Sequence, residues 1–144
     1  MLEIKNRAQI RVRYAETDKM GVVYNGNYFT YFEIGRAELM RAHGMEYTIL
    51  ENAGYFLPLL ETGAKYKQSA YYDDLLEIEA RIKWNNSPIL RFEYNVWRGD
   101  DLICEGFTVH SFLSAETRKP VKPPKVFIEI VDNYLKRVES EQII

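Results

Sequence analysis

Asn27-Tyr28-Phe29-Thr30-Tyr31-Phe32-Glu33-Ile34-Gly35-Arg36-Ala37-Glu38-Leu39-Met40-Arg41-Ala42-His43 is the stretch whose reading decides the fold. Tyr28, Phe29, Tyr31, Phe32, Ile34, Leu39 and Met40 leave its first turns apolar on almost every side, so a helix here must be covered from most directions. Asn25-Gly26-Asn27 supplies the start signal and Gly44 the stop. Gly35, mid-helix, costs about 1 kcal/mol relative to alanine, which is tolerable where the missing side chain lets another backbone come close. Glu33 and Arg36, three apart, are expected to pair at the helix surface for about 0.2–0.5 kcal/mol.

What covers this helix is read on either side of it. Upstream, Ile10-Arg11-Val12-Arg13-Tyr14 alternates with period two and predicts a strand that ends in the turn-like Thr17-Asp18-Lys19-Met20-Gly21. A short helical piece over Glu46 to Asn52 precedes Gly54. Downstream the alternation returns with Leu60, Thr62, Ala64 and Tyr66, then Leu76, Ile78, Ala80, Ile82 and Trp84, then Leu90, Phe92, Tyr94 and Val96. These read as antiparallel strands with one buried face, and a final strand runs from Leu102 to Leu113. Asn85-Asn86-Ser87-Pro88 and Gly99-Asp100-Asp101 have hairpin chemistry. After the proline-rich connector Lys119–Pro124, Phe127, Ile130, Val131, Tyr134, Leu135 and Val138 keep helical spacing. The expectation is an α+β domain spanning residues 1–144: a curved antiparallel sheet of about five strands around one long helix, with a C-terminal helix added.

Composition narrows the function classes. The 144 residues fit one domain, and 47% hydrophobic with 28% charged residues is an ordinary globular mix. A net charge of −2 with interspersed signs gives no basic stripe for nucleic acid. No run approaches the ~18 apolar residues of a membrane span, and Met1-Leu2-Glu3-Ile4-Lys5-Asn6-Arg7 lacks a signal-peptide core, so a cytoplasmic protein without membrane insertion is expected. One cysteine, Cys104, and two histidines, His43 and His110, allow neither an internal disulfide nor a structural zinc cluster. Aromatic content of 14%, with 11 tyrosines, exceeds what a modest core consumes and suits interfaces or ligand clefts.

Most catalytic devices are excluded next. There is no Gly-x-Ser-x-Gly elbow, phosphate loop or metal-ligand spacing. Cys104 and His110 share a strand face but stand six residues apart, about 20 Å, too far for a dyad within that strand. Cys104 reads as a small buried hydrophobe and His110 as a hydrogen-bonded sheet residue. His43, about 27 Å along the helix from its start, reads as a cap on helix carbonyls. What remains is Asp18, in the turn before Tyr24-Asn25-Gly26-Asn27. Its carboxylate can sit beside free N–H groups and the positive end of the helix dipole, a base opposite an oxyanion site. Gly26 would let a planar acyl group approach the amides. Asp18 as a plain turn cap, with Gly21 completing the turn, is the competing reading.

The run Tyr14-Ala15-Glu16-Thr17-Asp18-Lys19-Met20-Gly21-Val22-Val23-Tyr24-Asn25-Gly26-Asn27-Tyr28, with Phe32-Glu33 and Arg36, strongly resembles the signature of hot-dog thioesterases. Tyr71-Tyr72-Asp73-Asp74-Leu75 and Arg118-Lys119-Pro120 extend the likeness from about Ile10 to Phe127. The sequence is similar to the 4-hydroxybenzoyl-CoA thioesterase and Tol-Pal-associated group. That resemblance implies a hot-dog fold, dimers or dimers of dimers with active sites at the subunit interface, an acyl-CoA substrate and no cofactor or metal. It also implies Asp18 as nucleophile or general base to water, with backbone amides near Tyr24, Asn25 and Gly26 polarising the thioester carbonyl. Tyr14, Gly21 and Tyr28 are expected at the substrate, with Lys83 and Arg91 available to CoA phosphates. Position 25 is Asn where the Tol-Pal-associated group often has His, and Asn85–Pro88 is uncharged where some relatives carry basic residues. A hot-dog hydratase or dehydratase and a non-catalytic acyl-CoA or acyl-carrier binding module are the rival expectations.

Overall fold

In the computed structural model, which describes residues 2–142, the chain runs β1 (Leu2–Arg11), a 3-10 turn (Tyr14–Glu16), α1 (Asn27–Ala42), α2 (Tyr47–Asn52), β2 (Tyr55–Phe56), β3 (Leu59–Tyr66), β4 (Leu75–Trp84), β5 (Ile89–Arg98), β6 (Asp101–Ser111), β7 (Leu113–Ser114) and α3 (Lys125–Gln142). Met1, Ile143 and Ile144 of the expected domain lie outside the described residues. Five strands form one antiparallel sheet in the order β1-β4-β5-β6-β3, and β2 pairs separately with β7.

The central strands behave as their alternation dictates. β4 buries Leu76, Ile78, Ala80, Ile82 and Trp84, and β5 buries Leu90, Phe92, Tyr94 and Val96, while their charged neighbours face outward. β6 departs from strict alternation where Ile103 and Cys104 are both buried. A register shift opposite Val96 and Trp97 inserts Ile103 as an extra residue there.

Helix α1 crosses the inner face of this sheet at close range. A Cβ on Gly35 would lie 2.5 Å from Cγ2 of Ile78, so a side chain of β4, not the backbone expected from sequence, fills the space. Phe32 in turn occupies the volume beside Gly106 of β6, where a Cβ would stand 2.5 Å from its ring, and stacks on Tyr94 at 4.7 Å. Each such fully buried ring contributes about 2–3 kcal/mol of transfer free energy. α3 closes one end, with Phe127 edge-on to Trp84 and packed against Phe112.

Four sequence expectations change. The first strand begins at Leu2 and ends at Arg11, because the backbone turns into the 3-10 turn; Tyr14, expected on its buried face, is 77% exposed. β3 is an edge strand whose Leu59, Leu60 and Tyr66 are exposed, so its apolar alternation does not mark a face buried within this chain. Arg36 turns inward instead of pairing with Glu33, and donates to the hydroxyls of Tyr47 (2.6 Å) and Tyr94 (3.0 Å). His43 ends α1 through its backbone, while its ring meets Lys5 O at 3.4 Å and lies edge-on to Tyr134.

Candidate active site

The segment between β1 and α1 is folded as a small ladder of its own. Thr17 bridges Val23, the Asp18 N–H donates to Val22 O, and Val22 bridges Tyr71. At the tip the Gly21 N–H donates to Asp18 O, and Gly21 takes φ +79°, a conformation that strains any residue with a Cβ. The Asp18 carboxylate is held here: Oδ1 accepts the Met20 N–H at 2.9 Å. The turn-cap role read from sequence is therefore present. Among the described residues Oδ2 has no hydrogen-bond partner, so half of the carboxylate stays unspent.

Glu16 fastens this ladder to the helix. Its carbonyl accepts the Tyr24 N–H at 2.9 Å and the Asn27 side-chain amide at 2.8 Å; its carboxylate accepts the Arg13 N–H at 2.8 Å and the Tyr31 hydroxyl at 3.0 Å. Burial, and then the neighbouring Glu16 charge, push the Tyr31 hydroxyl pKa upward, so it remains a donor. Sequence reasoning passed over Glu16. No sequence signal marks it: a capping box is read from Ser, Thr, Asp or Asn three residues before Glu, and position 13 is Arg.

The amides at the helix entry divide into two sets. Tyr24, Asn27, Tyr28 and Phe29 each donate to a backbone carbonyl. Among the described residues the Asn25 and Gly26 N–H groups meet no acceptor. Of the three residues implicated around the carbonyl, Tyr24 therefore drops out as an amide donor, since its N–H is committed to Glu16. Its exposed ring instead covers position 26: a Cβ on Gly26 would stand 2.9 Å from Tyr24 Cε2. A side chain at position 26 would therefore have to displace that ring.

Beside these amides lies a crevice of about 190 Å³ lined by Val22, Val23, Asn25, Tyr28, Tyr66, Lys67, Gln68 and Ser69. Tyr28 forms its inner wall, 2% exposed, with burial pushing its hydroxyl up to about 12. Asp18 is not part of that lining; the ladder joins it directly to Val22, which is, through the Asp18 N–H to Val22 O bond. Tyr14 stands outside, edge-on to Tyr72 at 5.6 Å. Lys83 is not brought here: it pairs with Glu3 at 3.9 Å, about 30 Å along β4 from the Tyr71–Asp74 turn that borders the ladder. Arg91 faces the opposite side of the sheet, stacked over Phe107 at 4.2 Å in a depression of about 460 Å³. Cys104 is buried, its thiol pushed up to about 12 by desolvation, and His110 is enclosed with Nδ1 on Leu57 O.

A sequence model described as the thioesterase-like superfamily matches residues 12–131. The chain belongs to that superfamily. It is 33% identical to the acyl-CoA thioester hydrolase YbgC of Escherichia coli O6:H1 over 67% of this chain and 72% of the relative. To the acyl-CoA thioesterase YbgC of Haemophilus influenzae it is 28% identical over 81% of this chain and 86% of the relative. The crystal structure of DHNA-CoA thioesterase from Staphylococcus aureus superposes with a TM-score of 0.83 at 26% identity, covering 97% of this chain and 96% of that one. The hot-dog architecture expected from the resemblance is therefore the architecture of this thioesterase-like chain, an enzyme of the thioester-hydrolase class. Within that class its helix entry carries Asn25, whose side chain has no hydrogen-bond partner among the described residues.

Proposed function

We propose that this protein hydrolyses acyl-CoA thioesters to the free carboxylate and CoA, with Asp18 as the catalytic carboxylate and the Asn25 and Gly26 amides as the oxyanion site. The observation that carries the reading is the pair of amides without acceptors at the entry of a largely buried helix. Such donors, fixed before substrate arrives, favour the charge that develops on a thioester oxygen as its carbon becomes tetrahedral. The free oxygen of Asp18 supplies the other half. As general base it takes a proton from water while the water oxygen bonds to the acyl carbon; the C–S bond then breaks and the proton passes to the departing thiolate. As nucleophile it forms an acyl anhydride that water opens in a second step, with the same products. Neither route calls for a metal or bound cofactor.

The site needs a second copy of the chain. β3 presents an unpaired edge with exposed Leu59, Leu60 and Tyr66, a surface suited to extending the sheet across a homodimer or into a homotetramer. Across that seam a partner's residues would complete the walls around the crevice and the Asp18 ladder. Gly21, at the tip of the ladder, leaves the approach to the carboxylate open, whereas Tyr14 stands outside it against Tyr72. A cytoplasmic location agrees with a free, buried cysteine. The hydratase alternative is disfavoured because it needs a histidine at the acyl chain: His110 is walled in and His43 sits at the far end of α1.

Thiol release from a panel of acyl-CoA esters by wild type and Asp18→Asn tests the proposal. Loss of a base or nucleophile predicts a fall in kcat of about 10²–10⁴-fold in a variant that melts like wild type. Near-normal turnover by Asp18→Asn would remove Asp18 from the chemistry. Tight acyl-CoA binding without thiol release by the wild type would identify a binding module.

A further inference from the structure

The Asn25 carbonyl belongs to the same peptide unit as the Gly26 N–H. No peptide bond in the described chain is cis, so the two groups point in opposite directions from one rigid plane. Whatever grips the Asn25 oxygen therefore aims the Gly26 hydrogen. Two donors grip it: the Tyr28 N–H at 3.3 Å, which belongs to the first turn of α1, and the hydroxyl of Tyr66 at 3.1 Å, which arrives from the edge strand β3. The neighbouring unit is built alike: Tyr24 O accepts the Asn27 N–H at 2.9 Å while the Asn25 N–H on its other side stays open. Of these two units, among the described residues only the Gly26 unit is reached by a side chain from outside the helix.

We infer that Tyr66 is a positioning residue for the oxyanion site: its hydroxyl, bonded to Asn25 O, fixes and polarises the peptide whose Gly26 N–H meets the thioester oxygen. A hydrogen bond accepted by a peptide oxygen draws electron density from the nitrogen and makes its N–H the stronger donor, by some 10–30% of the bond. The helix turn alone leaves this unit with the long Tyr28 bond, whereas the hydroxyl adds a shorter one. Tyr66 is itself seated by packing, edge-on to Tyr28 at 5.4 Å, and Tyr28 is edge-on to Tyr31 at 5.5 Å. Tyr31 ends on the Glu16 carboxylate, so the helix entry is clamped between Glu16 on one side and Tyr66 on the other. Burial raises the Tyr66 pKa further above the neutral range, so the hydroxyl keeps its proton at working pH.

The inference rests on the proposed oxyanion role of these amides, and the experiment separates the two. Tyr66→Phe removes the hydroxyl and keeps the ring on Tyr28; Tyr66→Leu removes both. Deleting a whole oxyanion donor costs about 10²–10³ in kcat, so weakening one through its peptide predicts about a tenfold fall for Tyr66→Phe, with KM changed less than about twofold. Heteronuclear NMR of the free protein reads the peptide directly: the Gly26 amide nitrogen resonance moves upfield in Tyr66→Phe as the polarising bond is lost. A purely structural ring would leave Tyr66→Phe like wild type on both counts and place the defect in Tyr66→Leu alone, which overturns the inference. If Asp18→Asn abolishes turnover while Tyr66→Phe keeps kcat within about twofold, Tyr66 loses its role and the hydrolase reading stands. Full turnover by Asp18→Asn removes the proposed Asp18 site, and with it the oxyanion role on which Tyr66 rests, while thioester hydrolysis itself stands.

Discussion

At its middle α1 is locked against the sheet, with Gly35 over Ile78 and Phe32 beside Gly106; at its N-terminal end the same helix leaves two amides open beside a crevice. The difference is one of satisfaction. The middle buries side chains whose every neighbour comes from this chain, and any change of volume there is felt as stability. The end spends Glu16 and Tyr66 on holding the helix entry in place, where the Asn25 and Gly26 N–H groups make no internal bond among the described residues, a cost the rigid middle can carry. Substitutions should therefore split cleanly: loss of folding from the middle, loss of turnover from the end.

The sharpest way to break that division is Phe32→Ala. The ring is fully buried, stacked on Tyr94 and seated in the space Gly106 leaves, so its removal opens a cavity that the paired β5 and β6 strands resist filling. The expected cost is about 3–5 kcal/mol, read as a shift in the urea unfolding midpoint at unchanged slope. A loss under about 1 kcal/mol would mean the middle is looser than its geometry.

Why the middle was legible in the sequence and the end was not follows from the same contrast. β4 and β5 alternate because both faces are decided within one chain, so Leu76 through Trp84 and Leu90 through Val96 report their own burial. β3 shows an equally apolar alternation, yet it lies at an edge and stays exposed in the single chain. Tyr14 continued the period of Ile10 and Val12 beyond the point where the backbone turns. The Asp18 turn was readable from its Asp and Gly. The Tyr66 and Glu16 clamps were not, because hydrogen bonds to backbone leave no periodic trace and join residues far apart in the chain.

A pH titration of stability sharpens the comparison from the core side. His110 is 1% exposed, with Nδ1 on Leu57 O and Nε2 without a partner among the described residues; burial, and then the charge of Arg36, lower its pKa to about 4. Between about 4 and the unfolded value of 6.5 the unfolded chain binds the proton and the folded chain does not. Stability from this residue is thus complete above pH 6.5 and is lost as pH falls toward about 4, by about 3 kcal/mol. His43, lowered chiefly by burial, adds a slope of the same sign. Chemical denaturation of wild type and His110→Gln across this range should show the flatter profile in the variant. Equal slopes would locate the acid sensitivity elsewhere.

The smallest expected effect on folding comes from Gly26→Ala, and it separates the two ends most directly when set beside Gly35→Ala. Alanine at position 35 drives a Cβ to 2.5 Å from Ile78 between two packed elements, and about 1–3 kcal/mol of overpacking outweighs the roughly 1 kcal/mol gained in helix propensity. Alanine at position 26 also collides, at 2.9 Å, but with the ring of Tyr24, which is 57% exposed and free to swing outward. Position 26 already holds helical dihedrals (φ −64°, ψ −25°), so the backbone is not strained by a Cβ. Thermal unfolding of Gly26→Ala should then stay within about 1 kcal/mol of wild type while, on the proposed oxyanion role, acyl-CoA turnover falls as the added methyl group crowds the Gly26 amide. The reverse pattern, a destabilised Gly26→Ala with intact turnover, would show that the helix entry is built for folding and not for chemistry.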